Sequence, residues 1–281
     1  MPGGQRTSAW RGRHVALFGL ILLTVAIGGC GGGESSPSGA EPTASGASRP
    51  APPPELATFC GAAVDLVQVL DVGVDVSADS TPEDRAKAYQ DFQAAVEPPL
   101  TAVEQSPPPA VQQDIGTLAR QARYAVSTST DAPLNTPEFD ASLDRTRVVV
   151  TSQCLIPEMR VTSTDFKYDG IPPEVTAGAI AVTFANLGAE PHEMEVFRID
   201  DSEQRSAKDL VALPDAERGL VLSAVNTSIN ADPAEVDRKF LKLVPGRYGV
   251  ACLVPQGSTD DVRGTGPAHA TLGEVGEFTV R

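Results

Sequence analysis

The stretch Pro245-Gly246-Arg247-Tyr248-Gly249-Val250-Ala251-Cys252-Leu253 reads as a tight turn that feeds a strand ending on a cysteine. Proline presets the backbone for the first turn position and glycine accepts the conformation that follows, so the pair predicts a hairpin with the strand upstream, Arg238 to Val244. Outward from this turn, short apolar alternations separated by Gly and Pro run from Pro157 to the last residue. Arg160 to Phe166, Ala179 to Ala185, His192 to Ile199, Leu220 to Val225 and Glu277 to Val280 complete the set of strands. Ser206 to Leu213 reads as a short helix in a crossover. Period-2 segments at this spacing predict a β-sandwich over residues 157–281.

The preceding hundred residues follow another period. Between Glu55 and Leu155 apolar residues recur at three and four, which predicts four amphipathic helices in an antiparallel four-helix bundle over residues 55–156. Leu56, Phe59, Ala63, Val64, Val67 and Leu70 make the first stripe. Thr81-Pro82-Glu83-Asp84 supplies the second helix with an N-cap hydroxyl, a proline whose missing N–H costs nothing, and acids at the positive end of the dipole. Its stripe is Tyr89, Phe92 and Val96, and Pro98-Pro99 is expected to end or kink it. A third helix is predicted from near Pro107 to Pro109, carrying Val111, Ile115, Leu118 and Ala122. The fourth starts at Thr136-Pro137-Glu138 and carries Phe139, Leu143, Thr146 and Val150. Cys60, near the start of the first helix, and Cys154, near the end of the last, fall at one end of an up-down-up-down bundle, which predicts a structural disulfide. This half holds no histidine and no further cysteine, so it reads as a spacer or docking module rather than a catalytic site.

The N-terminus is a targeting signal. Arg6, Arg11 and Arg13 precede an apolar run from Val15 to Ile27, and about 13 residues are too few to span a hydrocarbon core that needs roughly 20. Ile27-Gly28-Gly29-Cys30 follows at once and resembles the lipobox of bacterial lipoproteins. That resemblance implies a signal peptide over 1–29, a diacylated Cys30 at the mature N-terminus, and a chain held on the extracytoplasmic face of the cell membrane. From Gly31 to Pro54 nearly every residue is Gly, Ser, Ala, Pro, Glu or Thr; a coil of that length spans on the order of 25 to 30 Å, which makes residues 30–54 a tether with reach. The whole chain carries a formal charge of −15, and without the signal peptide 19 basic residues face 37 acidic ones, a charge of −18. Such a surface argues against nucleic acid and anionic lipid as partners.

The ligand chemistry is sparse and therefore readable. Of three histidines, His14 leaves with the signal peptide, so the mature chain keeps His192 and His269. Of four cysteines, Cys30 takes lipid and Cys60 and Cys154 are placed to pair, which leaves Cys252 unmatched. Two imidazoles and one thiolate are the equatorial donors of a blue-copper site, where a weak fourth ligand stands on the axis.

Asn186-x-Gly188-x-x-x-His192 opens one strand, Pro245-Gly246-x-Tyr248-x-x-x-Cys252 runs along a later one, and His269-x-x-x-Gly273-Glu274 precedes the final strand. In this order the three segments resemble the cupredoxin family, over about residues 158 to 281. The resemblance implies a cupredoxin-like β-sandwich binding one copper ion through His192, Cys252 and His269, with Glu274 where the axial Met usually stands. It implies electron transfer or copper handling with a redox or copper-exchange protein partner. A carboxylate is harder than a thioether, so Glu274 would favour Cu(II) and lower the reduction potential. Met194, two residues after His192 on the same strand face, is the alternative axial donor, with core filling as its other role. Sixteen residues separate Cys252 from His269, more than the family's few, and the ligand loop is expected to bulge outward through Gln256 to Gly266.

Two other readings stand beside this one. A metal-free cupredoxin-like module for binding or assembly in the cell envelope would use Cys252 as a small buried apolar residue. An oxidase or reductase would need more histidine or another nucleophile and base than the mature chain holds, so no enzymatic activity is expected.

Overall fold

A computed structural model describes residues 51–281 except 78, 226 and 227. The expected signal peptide, Cys30 and the expected tether as far as residue 50 lie outside the described residues. Four helices fill the first half: α1 (Ala57–Val72), α2 (Pro82–Gln105), α3 (Gln112–Thr128) and α4 (Pro137–Gln153). They share one core, to which Phe59, Val64 and Val67, then Phe92, Val96 and Leu100, then Ile115 and Leu118, then Phe139, Leu143 and Val150 contribute in turn. No helix among the described residues is long and apolar enough to cross a membrane.

Local chemistry sets where these helices begin. Thr81 Oγ1 accepts from the Asp84 N–H at 3.1 Å and the Asp84 carboxylate accepts from the Thr81 N–H at 3.1 Å, a reciprocal capping box at the start of α2. Thr136 caps α4 with its hydroxyl alone, which accepts from the Phe139 N–H at 3.2 Å. Of the two outcomes expected at Pro98-Pro99, an end to the helix is corrected by the structure, because α2 continues through both prolines to Gln105. Each proline removes one hydrogen bond to the preceding turn, but the buried stripe of Tyr89, Phe92, Val96, Leu100 and Val103 continues on both sides of them. Packing of that stripe outweighs the lost bonds. Cys60 and Cys154 are joined as a disulfide with Cα atoms 5.5 Å apart.

The second half contains β1 (Glu158–Thr164), β2 (Lys167–Asp169), β3 (Glu174–Val175), β4 (Gly178–Asn186), β5 (His192–Ile199), β6 (Leu222–Ala224), β7 (Ile229–Ala231), β8 (Val236–Leu243), β9 (Gly246–Ala251) and β10 (Val275–Val280). Three short helices, α5 (Ala207–Val211), α6 (Asp215–Val221) and α7 (His269–Leu272), interrupt them. One sheet has the order β2-β1-β4-β8 and the other β3-β10-β9-β5-β6, with β7 paired to β5. β1 and β4 are parallel, as are β3 and β10, and the remaining pairs are antiparallel. Met159, Val161, Val182, Phe184, Val196, Leu241, Tyr248, Val250 and Phe278 close the space between the sheets.

The turn at Pro245-Gly246 does not make the expected hairpin. β8 pairs with β4 in one sheet while β9 pairs with β5 and β10 in the other, so the turn carries the chain between sheets. The buried Tyr248 hydroxyl holds this corner by donating to the Val244 carbonyl at 2.9 Å and accepting from the Val244 N–H at 3.2 Å. A second correction falls on Leu220 to Val225. Its first residues belong to α6, and only Leu222–Ala224 is strand. The short strands β2, β3 and β7 escape sequence reading because two or three residues are too few to show a period.

The two halves meet at β8. Ala181 and Phe240 join the helical core, and Gln68 on α1 donates to the Phe240 carbonyl at 3.1 Å. Asp71 on α1 is buried here, paired with Arg147 on α4 and with Lys239 on β8 at 3.0 Å. Lys242 pairs with Asp65 beside them.

Candidate metal centre

Four elements converge at one end of the sandwich. His192 is the first residue of β5, Cys252 follows directly on β9, His269 opens α7 and Glu274 precedes β10. One ligand atom from each lies within 4.8 Å of all the others, and all four residues are buried. The two Nδ1 atoms stand 3.2 Å apart, Cys252 Sγ is 3.4 Å from His269 Nδ1, and Glu274 Oε2 is 2.8 Å from His192 Nδ1 and 3.3 Å from His269 Nδ1. Two donors bound to one ion at lengths of about 2.0 to 2.3 Å and tetrahedral angles sit roughly 3.3 to 3.8 Å apart. The observed separations, 2.8 to 3.4 Å for the four pairs given and within 4.8 Å for the rest, bracket that range, and a thiol, two imidazoles and a carboxylate are the donor types a transition-metal ion takes.

The backbone that delivers these groups is specific. Asn186, fully buried at the end of β4, donates from its amide to the Glu190 carbonyl at 2.8 Å and the Ala231 carbonyl at 2.9 Å, and accepts from the Gly188 N–H at 2.8 Å. This fixes the turn ahead of His192. Gly188 lies so close that a Cβ there would fall 2.8 Å from His192 Nε2, so no larger residue fits without moving the ligand. At the other end, Gly273 with φ +127° stops α7 after one turn and swings Glu274 back over it, where its N–H bonds to the His269 carbonyl at 3.1 Å.

The long interval between Cys252 and His269 is an excursion pinched off at its base. Pro255 and Ala268 form a bridge, Gln256 N–H bonds to the Pro267 carbonyl at 2.9 Å and Gly266 N–H to the Gln256 carbonyl at 3.1 Å. Inside the pinch, His269 N–H reaches the Val254 carbonyl at 2.9 Å and Ala270 N–H the Cys252 carbonyl at 2.8 Å. The expected outward bulge over Gln256 to Gly266 therefore leaves the spacing of the two ligands unaffected.

Charge in the cluster is balanced locally. Burial opposes ionisation of Glu274, but hydrogen bonds from His192, His269 and Ser163 outweigh it and hold the carboxyl below its ordinary value. Burial likewise opposes charging of His269, and the carboxylates of Glu274 and Glu190 overcome it, so its pKa is raised. Burial pushes the Cys252 thiol far above the usual range, and the negative charges of Glu274 and Glu193 add to the shift.

Of the residues singled out from sequence, His192, Cys252, His269 and Glu274 come together. Met194 is buried in the core between the sheets with Phe184 and Val196. Several neighbours were not anticipated. Ser163 donates from its hydroxyl to Glu274 Oε1, Glu193 donates its N–H to Cys252 Sγ at 3.4 Å and accepts the Leu253 N–H on Oε1 at 2.8 Å, and Phe166 packs edge-on to His269 with ring centroids 4.8 Å apart. Ser163 had a signal. The alternation of β1 places it on the inward face with Met159 and Val161.

The second half is a two-sheet β-sandwich in which histidine, cysteine, histidine and a fourth donor arrive in that chain order. No family model matches the sequence, and no curated protein matches it. Among solved structures, the chain is similar to reduced auracyanin from Roseiflexus castenholzii, at 21% identity over 44% of this chain and 96% of that one, TM-score 0.28. It is also similar to reduced rusticyanin, at 16% over 44% and 79%, TM-score 0.27. A multicopper oxidase is similar at 20% over 44% of this chain and 41% of that one, TM-score 0.25.

Proposed function

We propose that this chain is a lipid-anchored extracytoplasmic protein that binds one copper ion through His192, Cys252, His269 and Glu274, for electron transfer or copper handling. The observation that carries the reading is the convergence of four buried donors from four elements on one point. Copper held there would cycle between Cu(II) and Cu(I); the protein's part is to fix the donors in place and keep water from them. Glu274, as the fourth donor in place of a thioether, favours Cu(II). With two histidines and one free thiol in the mature chain, the inventory suits a carrier with a protein partner for redox or copper exchange better than an oxidase, which would need a second copper centre. Adding Cu(II) to the purified chain is expected to produce an intense visible thiolate-to-copper band that Cys252→Ala abolishes. A colourless wild-type chain with no copper affinity would leave the metal-free envelope module as the reading.

The organisation proposed with it is a signal peptide over 1–29, a tether over 30–54, an antiparallel four-helix bundle over 55–156 and the β-sandwich over 157–281. Small residues before Cys30 and an apolar run too short to span a membrane support the anchor. The mature N-terminal peptide should carry a diacylglycerol mass on Cys30, and an unmodified Cys30 would overturn the anchoring.

A further inference from the structure

His269 has a second nitrogen, and the structure gives it a partner outside the four donors. His269 Nε2 lies 3.1 Å from Glu190 Oε2, and the same oxygen accepts the Gly257 N–H at 2.7 Å. Glu190 sits in the turn that Asn186 holds, and Ala189 beside it bonds to Asp165 at 3.2 Å, so the backbone carrying this carboxylate is fixed on both sides. Gly257 belongs to the excursion between Cys252 and His269. One oxygen atom thus ties together the loop before the first histidine, the loop before the second, and the second histidine itself.

We propose that Glu190 is a positioning residue for the metal centre: its carboxylate holds His269 with the proton on Nε2 and Nδ1 turned inward as a donor, and it anchors the 256–266 excursion to the site. A carboxylate only accepts, and the neutral ring has one proton to give: Glu190 Oε2 at 3.1 Å from Nε2 is closer than Glu274 Oε2 at 3.3 Å from Nδ1, so the proton goes to Nε2 and the ring's lone pair is left on Nδ1 among Cys252, His192 and Glu274. A carboxylate behind a ligating imidazole also strengthens that imidazole as a donor. The inference rests on the reading of His269 as a ligand, and Glu190 touches none of the other three donors in any hydrogen bond described above.

The test compares wild type, Glu190→Gln and Glu190→Ala by Cu(II) affinity, visible spectrum and Cu(II)/Cu(I) midpoint. Glu190→Ala is expected to weaken Cu(II) binding by roughly 10- to 100-fold and to alter the band. Glu190→Gln keeps an acceptor but loses the charge, so it should keep the band position while its midpoint rises by about 59 mV, the equivalent of a tenfold loss of preference for Cu(II). Wild-type affinity and midpoint in both variants would overturn the proposal. Histidine 15N NMR of the metal-free chain at alkaline pH reads the positioning without copper. A single Nε2-protonated form of His269 in wild type and in Glu190→Gln, lost in Glu190→Ala, is the result expected; identical tautomer populations in all three would sink it. A wild type that takes up no copper overturns the reading of the centre, and the NMR comparison then decides the role of Glu190 alone.

Discussion

Replacing Cys60 and Cys154 together by alanine is expected to lower the stability of the chain by about 4.7 kcal/mol, the chain-entropy value for opening a loop of this length. The two cysteines are 94 residues apart in sequence, and the bond closes the whole helical half from the start of α1 to the end of α4. Without it the unfolded ensemble regains the freedom of that loop, while the folded state loses few contacts. Domains are commonly stable by about 5 to 15 kcal/mol, so a loss of this size is a large share of the total. Denaturant unfolding of the wild type with and without reductant, beside the double variant, measures it. A midpoint that neither reduction nor substitution moves would mean that the bond constrains nothing the unfolded chain would otherwise explore.

Metal uptake should release protons, and its apparent affinity should rise about tenfold per pH unit wherever one ligand must be deprotonated to bind. The metal-free Cys252 thiol stays protonated through the neutral range because burial, with Glu274 and Glu193 nearby, raises its pKa. Binding therefore displaces its proton throughout that range. His269, whose pKa is raised, carries a second proton below its own folded value, so the dependence steepens toward two protons in acid. The sign is fixed: a raised pKa on a group that must lose its proton to bind weakens binding as pH falls. Zn2+ is a redox-silent probe of the same donors, and competition titrations between pH 7 and 9 should show about a hundredfold gain. Cys252→Ser should remove that slope. A flat profile in the wild type would place the sulfur outside the coordination sphere.

Three of the four donors were legible because the chain is poor in their kind. With His14 in the expected signal segment and Cys60 and Cys154 placed to pair, His192, His269 and Cys252 had no competitors, and Glu274 followed from the resemblance, which sets it where the axial Met usually stands. The residues around them were not legible for the opposite reason. Glu190 and Glu193 are two of 37 acidic residues, and only the fold shows that one lies behind His269 and the other against Cys252. The helices were read from their period and caps, and α2 differed at Pro98-Pro99 because a local rule about one hydrogen bond yields to a stripe buried along the whole helix. The turn at Pro245-Gly246 was read as a turn, but which sheet each arm joins depends on partners far away in sequence, and no local signal carries that.

The contact at β8 has a consequence for motion. Asp71 is a buried anion that answers to one cation on α4 and another on β8, and a wedge of Phe240 enters the helical core beside it. Parting the halves would take Lys239 from Asp71 and expose the apolar contact around Phe240 to water, so residue 157 is no hinge. The helical half and the end of the sandwich that carries His269 therefore turn as one body.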